Sequence, residues 1–403
     1  MKSKFNAEDF FAAGNPLAPD YSRFNVENKL LLTGHSHQAW PDVSREGIIQ
    51  CWDDAAELAD KKWERISIVE ERVKSGYRTL MNDTGGHITL APSTHDLIIK
   101  LLSALQFRNR TKIITTDSEF HTISRQLKRL REEGFAIMTI PAEPRETFAD
   151  RVVREIDSDT LIVMISAVYY KTAAIARGLD LIMEKCRHEG AEFLVDAYHL
   201  LNIVPFDIKK SGLADAFITG GGYKYCQLGE GNAFLRFPEG RSFRPALTGW
   251  FSEFATLGKK SPDDKVMSGE GSYTFAGGTV ESASFYRAAR VFDYFEEKGL
   301  TPQLLREVSK MQMEILIRAF EELDLPEDII TYDRSLDPDE RAGFLSLKSP
   351  HAGFLYSELK SLDVLTDSRE DYLRFGPAPY LNSSQLKRSV EIMGDIVRKK
   401  LMK

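Results

Sequence analysis

The sequence predicts an α/β protein in which a mostly parallel sheet carries helices on both faces, with a smaller α+β domain at its C-terminal end. Short apolar runs alternate with amphipathic helical patterns through the middle of the chain, and the run at 161–166 is almost entirely apolar. Such strands are typical of a parallel sheet that is covered on both sides. Past about residue 285 two long helical patterns precede two separated strands. This change of pattern predicts a second domain of a different class.

The predicted elements follow in a regular order. In the first part, strands are predicted at 87–91, 112–116, 135–140, 161–166, 192–196 and 216–219, and helices at 94–105, 121–133 and 179–188. In the second part, helices are predicted at 282–298 and 301–323, strands at 343–348 and 372–375, and a last helix from about Ser383 with Ser384 as its N-cap. We expect 51–285 to form the large domain and 286–403 the small one, with 1–50 packed beside the small domain.

Length and charge exclude some classes of protein. A chain of 403 residues is longer than one compact core usually needs. Its net charge of −7 comes without a clustered basic surface, so we expect no nucleic-acid partner. We also expect no membrane partner, because no signal-peptide core or spanning apolar run is visible. Three cysteines without CxxC spacing indicate reduced thiols, and the predicted location is the cytoplasm.

Two strand ends carry the most informative chemistry. The segment 193–202 reads FLVDAYHLLN, in which a strand ends at Asp196 and His199 follows. The segment 217–225 reads FITGGGYKY, in which glycines precede Tyr223 and Lys224. A lysine amine and a carboxylate at neighbouring strand ends fit pyridoxal 5′-phosphate (PLP), because the amine forms a Schiff base and the acid keeps the pyridine nitrogen protonated. Alternatively, Asp196 is a helix N-cap and Lys224 a solvated loop residue. A phosphate-binding P-loop is excluded because GxxxxGK[ST] is absent.

A phosphate site and a stacking ring are predicted nearby. After the strand at 87–91, Ser93 and Thr94 stand at a helix start, where free amides and the helix dipole favour a phosphate. A plain capping role is the alternative for both residues. Phe120 follows the strand at 112–116 and is predicted to stack on the cofactor ring, with a core position as the alternative.

In their order, these motifs resemble the PLP-dependent class V aminotransferase superfamily of fold type I, and within it the kynureninases. The similarity runs from LLLTGHSHQAWPD to RFGPAPYLN, through most of the chain. DAYH resembles the family's Asp-x-x-His, and GGGYKY its Tyr-Lys with the Schiff-base lysine. LTGWFSEF is similar to the kynureninase Gly-Trp-Phe segment. FAGGT at 275–279 resembles a Gly-Thr turn that reaches the partner subunit's cofactor phosphate.

The resemblance implies a role for each matched residue. Lys224 would carry the cofactor and later move the Cα proton, Asp196 would pair with the ring nitrogen, and His199 would lie near the ring hydroxyl. The remaining cofactor contacts would come from Ser93, Thr94, Phe120, Ser166, Tyr223, Trp250 and, from a second chain, Thr279. Arg374 in YLRFGPAP would bind the substrate carboxylate in a fork. A packing aromatic and a surface ion pair are the alternatives for Trp250 and Arg374.

The sequence departs from the kynureninase pattern around the substrate. Gly277 stands where kynureninases carry a substrate-recognising asparagine, and the family's Gly-Asn-Ser-Leu-Gly becomes GHSHQ at 34–38. His35, Ser36, His37 and Gly277 are therefore predicted to line an altered substrate pocket. No metal site is predicted, because two histidines lack further ligands. Cysteine desulfurase chemistry is not expected, because no cysteine follows Cys226.

Three functions are compatible with this reading. The first is a kynureninase-like lyase or hydrolase that acts on the side chain of an amino acid through an external aldimine and a Cα carbanion. The second is a class V aminotransferase that uses a 2-oxo acid acceptor. The third is a non-catalytic ligand-binding or regulatory protein. For the enzymes, we expect a small amino-acid substrate and a homodimer with shared active sites.

Overall fold

A computed structural model describes residues 4–107, 109–256, 258 and 265–402. The strands are β1 (Leu30–Leu31), β2 (Gly86–Ala91), β3 (Lys112–Thr116), β4 (Ala136–Ile140), β5 (Thr160–Ser166), β6 (Glu192–Asp196), β7 (Phe217–Gly220), β8 (Ala233–Pro238), β9 (Thr331–Tyr332), β10 (Leu345–Lys348), β11 (Val364–Leu365), β12 (Asp367–Arg369) and β13 (Tyr372–Phe375). The α-helices are α1 (Val43–Leu58), α2 (Lys62–Met81), α3 (Thr94–Ala104), α4 (His121–Glu132), α5 (Phe148–Glu155), α6 (Leu179–Glu189), α7 (Ala283–Lys298), α8 (Pro302–Glu321), α9 (Ala352–Ser361) and α10 (Ser383–Lys400).

The central sheet has seven strands in the order β2-β8-β7-β6-β5-β3-β4. Neighbouring strands from β7 to β4 are parallel, whereas β8 runs antiparallel to both β7 and β2. The prediction of a mostly parallel sheet is therefore confirmed. The antiparallel strand β8 was not predicted from the sequence.

Helices cover both faces of this sheet, as the strand residues show. On β5, Ile162 and Met164 belong to an apolar cluster that includes residues of α3 and α4. The alternate residues Val163 and Ile165 belong to a second cluster, which includes residues of α2, α5, α6 and α7. Successive strand side chains point to opposite faces, so a strand buried on both sides is apolar throughout. This geometry explains the unbroken apolar run of β5.

The C-terminal part is built on a four-stranded antiparallel sheet in the order β12-β13-β10-β9. It packs with α8 and α9, while α10 packs on α8 and α9. The helix α10 begins at Ser383 as expected, but its predicted cap, Ser384, is wrong. Asn382 is the N-cap, because its side-chain oxygen accepts the backbone N–H of Gln385 at 3.0 Å, and the Gln385 side-chain oxygen in turn accepts the backbone N–H of Asn382 at 3.0 Å.

The N-terminal segment contacts this C-terminal part directly. Strand β1 pairs with β11 in parallel, and a bridge joins Thr33 to Gly376, two residues beyond Arg374. The amide of Gly34 donates to the carbonyl of Gly376 at 2.6 Å. Helix α7, by contrast, packs mainly against α1 and α2. Among the described residues, no helix has both the length and the apolar character needed to span a membrane.

Candidate active site

A cavity of about 260 Å³ opens at the carboxyl ends of the parallel strands. In such sheets the loops at this edge are the usual place for a ligand. Its wall contains seven of the residues predicted from the sequence: Ser93, Thr94, Phe120, Asp196, His199, Tyr223 and Lys224. The other lining residues are Pro92, His95, Thr122, Tyr198, Glu230, Gly231 and Ala233.

Lys224 reaches the cavity from the loop that follows β7. The glycines before it allow other chain segments to approach closely, since a Cβ on Gly222 would lie 2.1 Å from the Asn232 side-chain oxygen. Lys224 is buried, and its Nζ lies 2.7 Å from His199 Nε2 and 5.2 Å from the centre of the Phe120 ring. Burial lowers the pKa of Lys224 to about 7, and the nearby Arg374 acts in the same direction while Asp196 opposes it. The amine can therefore be neutral, and so nucleophilic, near neutral pH.

His199 is the direct partner of this amine. Burial holds the pKa of His199 well below its usual range, and the positive charges of Lys224 and Arg374 lower it further. A neutral imidazole can exchange a hydrogen bond with a neutral amine without separating charge. His199 thus holds the Lys224 amine in place whichever tautomer it adopts.

Asp196 stands at the last position of β6, next to Ser166 on β5 and Thr219 on β7. Its carboxylate accepts the backbone N–H of Tyr198 at 2.8 Å. Burial raises the pKa of Asp196, while that hydrogen bond and the charge of Lys224 lower it. The carboxylate thus caps the turn that follows β6, and Asp196 also lines the cavity together with Lys224.

The start of α3 forms another side of the cavity. Ser93 is the N-cap of this helix, and its hydroxyl accepts from the Asp96 amide at 3.3 Å and donates to the Asp96 carboxylate at 2.7 Å. Thr94 is the first helical residue. Ser93 therefore has the capping role that was considered as its alternative. The remaining free amides of the first turn still make this end of α3 attractive to an anion.

Phe120 precedes α4 and contacts the cavity with its ring. The ring lies edge-on to Tyr170, with centroids 5.5 Å apart, and is also near His199. Phe120 is only partly buried, so it does not occupy the core position that was considered as its alternative. A planar ligand beside Lys224 would therefore meet an aromatic wall.

Arg374 lies outside this cavity wall, deep between the Tyr170 and Phe344 rings. Its side chain is buried, and its guanidinium donates to the carbonyl of Tyr170 and to the carboxylate of Asp367. Its Nε has no partner among the described residues. Arg374 therefore forms its ion pair with Asp367 in a buried position, not at the surface as in the alternative considered above. Its Nε–H stays available for a ligand.

The predicted substrate residues at 35–37 occupy three different environments. His35 is fully buried, stacks on Phe344 with centroids 4.7 Å apart, and lies 3.8 Å from Asp367. Ser36 donates to the carbonyl of Thr33 at 3.2 Å. His37 is exposed and stacks on the Tyr223 ring at 5.1 Å. None of the three lines the 260 Å³ cavity, although His37 touches a residue that does.

Trp250, Gly277 and Thr279 also lie away from the cavity wall. Trp250 is exposed in a short 3₁₀ turn, where its ring contacts Phe251. The carbonyl of Gly277 accepts from the Phe251 amide at 3.1 Å, so both predicted segments belong to one surface. Thr279 is exposed, and its predicted contact with the cofactor of a second chain stays a prediction. Within one chain, these three residues are not brought together with Lys224.

Several residues near the cavity were not singled out from the sequence. Tyr198 lies within the DAYH segment, and its ring centre is 4.9 Å from Lys224 Nζ. Asp367 and Arg369 precede Arg374 in DSREDYLRF, where two charges of opposite sign two residues apart on a short strand were the available signal. Glu119 directly precedes Phe120 and hydrogen-bonds to Ser166. Only tertiary structure places these charges beside the site.

Comparison with known proteins identifies the family. The family described as Aminotransferase class-V matches residues 91–347, which is more than half of the chain. The chain belongs to the class V aminotransferase family. A second family description, the kynureninase C-terminal domain, matches residues 305–393 of this class V protein.

Individual relatives agree with this assignment. The chain is 26% identical to kynureninase of Pseudomonas fluorescens over 96% of its own length and 94% of the relative. It is 20% identical to the uncharacterized aminotransferase YcbU of Bacillus subtilis, with 91% and 94% of the two chains covered. A solved structure of a C-DES mutant with glycine covalently linked to its PLP cofactor superposes with a TM-score of 0.79 at 16% identity, covering 94% of this chain and 99% of that one.

These findings confirm fold type I, a PLP-dependent enzyme and pyridoxal 5′-phosphate as its cofactor. The cavity is chemically suited to that molecule. It combines an amine whose pKa is lowered to about 7, a buried carboxyl group, an aromatic ring and a helix N-terminus. These are the groups that a carbonyl, a pyridine nitrogen, a planar ring and a phosphate each require.

Proposed function

We propose that this class V enzyme is a kynureninase-like lyase or hydrolase that cleaves the side chain of an amino-acid substrate. The proposal depends most on one observation: Lys224 is buried beside His199, with its amine and the Asp196 carboxyl group in the wall of one cavity. The similarity to a kynureninase over nearly the whole chain and to the kynureninase C-terminal domain supports this choice of reaction.

In this proposal Lys224, Asp196, Phe120 and the start of α3 hold the cofactor. When bound, PLP supplies a carbonyl that condenses with amines and a ring that accepts electrons from the substrate Cα. Ser93 and Thr94 contribute the helix N-terminus to the phosphate, and Phe120 packs on the ring. The Asp196 carboxylate holds a proton on the ring nitrogen, because an anion in a low-dielectric site strongly favours the protonated partner.

Lys224 is the proposed proton carrier. Its neutral amine takes the proton from the substrate Cα and receives it on Nζ, for which a lowered pKa is required. His199 keeps Nζ in place during this transfer through the 2.7 Å contact. Arg374 is proposed to bind the substrate carboxylate, and its unpaired Nε is the donor available for it.

A screen of amino acids distinguishes this reaction from the second candidate. The purified enzyme, loaded with PLP, is incubated with each amino acid with and without a 2-oxo acid, and the products are identified by mass spectrometry. We expect side-chain cleavage that does not need the 2-oxo acid. An absolute requirement for a 2-oxo acid, with its amino form as product, would instead show the aminotransferase reaction, for which the similarity to YcbU is the supporting observation.

We also propose that the enzyme is a homodimer with shared active sites and that it acts in the cytoplasm. The support for the dimer is a group of exposed apolar side chains on α1, on α2 and on the segments 247–254 and 266–273. Its members are Ile48, Ile49, Trp52, Ile68, Leu247, Trp250, Phe254, Val266 and Tyr273. Phe251 packs on Trp63 with ring centroids 5.9 Å apart, so the segment 247–254 lies beside α2. Single exposed apolar residues are ordinary, but a group of this size is typical of an interface.

The substitution Trp52→Glu tests this interface. Trp52 is 72% exposed, so a charge there should leave the fold of the single chain intact. We expect sedimentation velocity to change from dimer to monomer, with loss of most activity. The matched control is Leu362→Glu on the C-terminal part, which is 53% exposed and should stay dimeric. A Trp52→Glu protein that remains a fully active dimer, or a wild type that is an active monomer, would contradict the proposal.

A further inference from the structure

A second buried carboxyl group lies behind the cavity and has no role in the steps above. Glu119 follows β3, directly before Phe120, and is only 2% exposed. Its carboxylate accepts three hydrogen bonds: from the Thr116 hydroxyl at 2.7 Å, from the Ser166 hydroxyl at 2.6 Å and from the Ser166 amide at 3.1 Å. A buried acid with three fixed donors is held in one orientation.

Ser166 connects this acid to Asp196. The two residues are paired in register on the parallel strands β5 and β6. Paired residues project their side chains to the same face of a sheet, and neighbouring strands are about 4.8 Å apart. Glu119, Ser166 and Asp196 therefore form a row in which one hydroxyl separates two carboxyl groups. Phe120, next to Glu119 in the chain, places the same loop against the cavity.

The pKa of Glu119 is consistent with its place in this row beside Asp196. Burial raises the pKa of Glu119 to about 7, and the charge of Asp196 raises it as well, while the hydrogen bonds from Ser166 and Thr116 lower it. Glu119 also interacts with Tyr169, on the segment after β5, whose own pKa is raised by burial first and then by Glu119. The charge of Glu119 can thus change close to neutral pH.

We propose that Glu119 is a positioning residue that acts through Ser166 and Asp196 on the ring nitrogen of the cofactor. An ionised Glu119 adds negative potential behind Asp196, and this potential favours the protonated ring nitrogen. Its hydrogen bonds also keep Ser166 fixed beside Asp196. The inference rests on the proposed function, in which Asp196 holds the proton of that nitrogen.

The substitution Glu119→Gln removes the charge and keeps the size and one acceptor oxygen. Wild type and variant are loaded with PLP that carries ¹⁵N in its ring, and the ring ¹⁵N chemical shift is followed with pH. Well above the Glu119 pKa, we expect the variant signal to move toward the unprotonated ring, with a protonation midpoint lower by on the order of one pH unit. Well below that pKa the two proteins should converge, because Glu119 is then neutral in the wild type too.

Three further variants separate this role from a structural one. Thr116→Val removes one hydrogen bond from Glu119 but not its charge, and should keep the wild-type ring signal. Ser166→Ala breaks the connection and should shift the signal even if Glu119→Gln does not fold. An unchanged ring signal in both Glu119→Gln and Ser166→Ala would overturn the role of Glu119. If Asp196→Asn also leaves the signal unchanged, the placement of the ring nitrogen at Asp196 fails as well.

Discussion

Replacing Lys224 by Ala is expected to lower turnover by roughly 10³-fold or more, because a positioned general base alone contributes on the order of 10²–10⁴. The variant loses the amine that bonds to the cofactor and receives the Cα proton. Two measurements check this: steady-state turnover, and mass spectrometry of the peptide around 224 after borohydride treatment. Wild type should be yellow and retain the cofactor mass on Lys224.

The control for this variant is Lys387→Ala, which removes an exposed lysine from α10. It should keep its colour, its cofactor mass and its turnover. A Lys224→Ala protein with wild-type turnover, or a colourless wild type that ignores added PLP, would contradict the assignment.

The same substitution has a predictable effect on stability. Between the folded-state pKa of Lys224, about 7, and its ordinary value of 10.5, the unfolded chain binds one proton more than the folded chain. Stability of the cofactor-free wild type therefore rises with pH across this window. Lys224→Ala should lack this rise in a pH series of thermal unfolding, and should not be less stable than wild type at neutral pH, where burying the amine is unfavourable.

Replacing Asp196 by Asn is expected to lower turnover about 10²–10³-fold, the usual cost of removing one preorganised charge from a reacting centre. The amide has nearly the same shape but cannot favour a protonated ring nitrogen. The cofactor should still bond to Lys224, so the colour should persist while turnover falls. The control is Asp395→Asn, which removes an exposed acid from α10.

Partial recovery in Asp196→Glu would support a role of the charge itself, because only the length of the side chain differs. Wild-type turnover in Asp196→Asn would instead mean that this carboxyl group does not serve the ring, and the proposed arrangement would be wrong.

The local pattern of apolar residues was sufficient to predict most strands of the parallel sheet. Lys112–Thr116 and Glu192–Asp196 were predicted with the observed bounds, because each is a short apolar run between helical patterns. Strand β8 was missed because it contains a buried charge. Arg236 is 2% exposed and forms an ion pair with Asp83 at 2.7 Å, a compensation that no local pattern shows. Its antiparallel direction likewise depends on the partners β2 and β7.

The candidate site was predictable where a residue ends a parallel strand. Asp196 is the last residue of such a strand, Phe120 and Lys224 follow two others, and the common edge of the sheet brings them together. The neighbours of Arg374 were not predictable, because Asp367 contacts it only after β12 has paired with β13. Tyr170 contacts it only after the segment that follows β5 has packed against that sheet. Trp250 and Thr279 lie away from the cavity wall, so their predicted contacts with the cofactor stay predictions.

The pairing of residues 30–34 with 364–376 has a consequence for biosynthesis. Translation delivers residues 30–34 long before residues 364–376, so the earlier segment waits for all the residues between them before its hydrogen-bonding partner leaves the ribosome. Contacts this distant along the chain are slow to form. Arg374 belongs to the later segment, so a nascent chain can assemble the lysine-bearing sheet well before Arg374 reaches its place beside Tyr170.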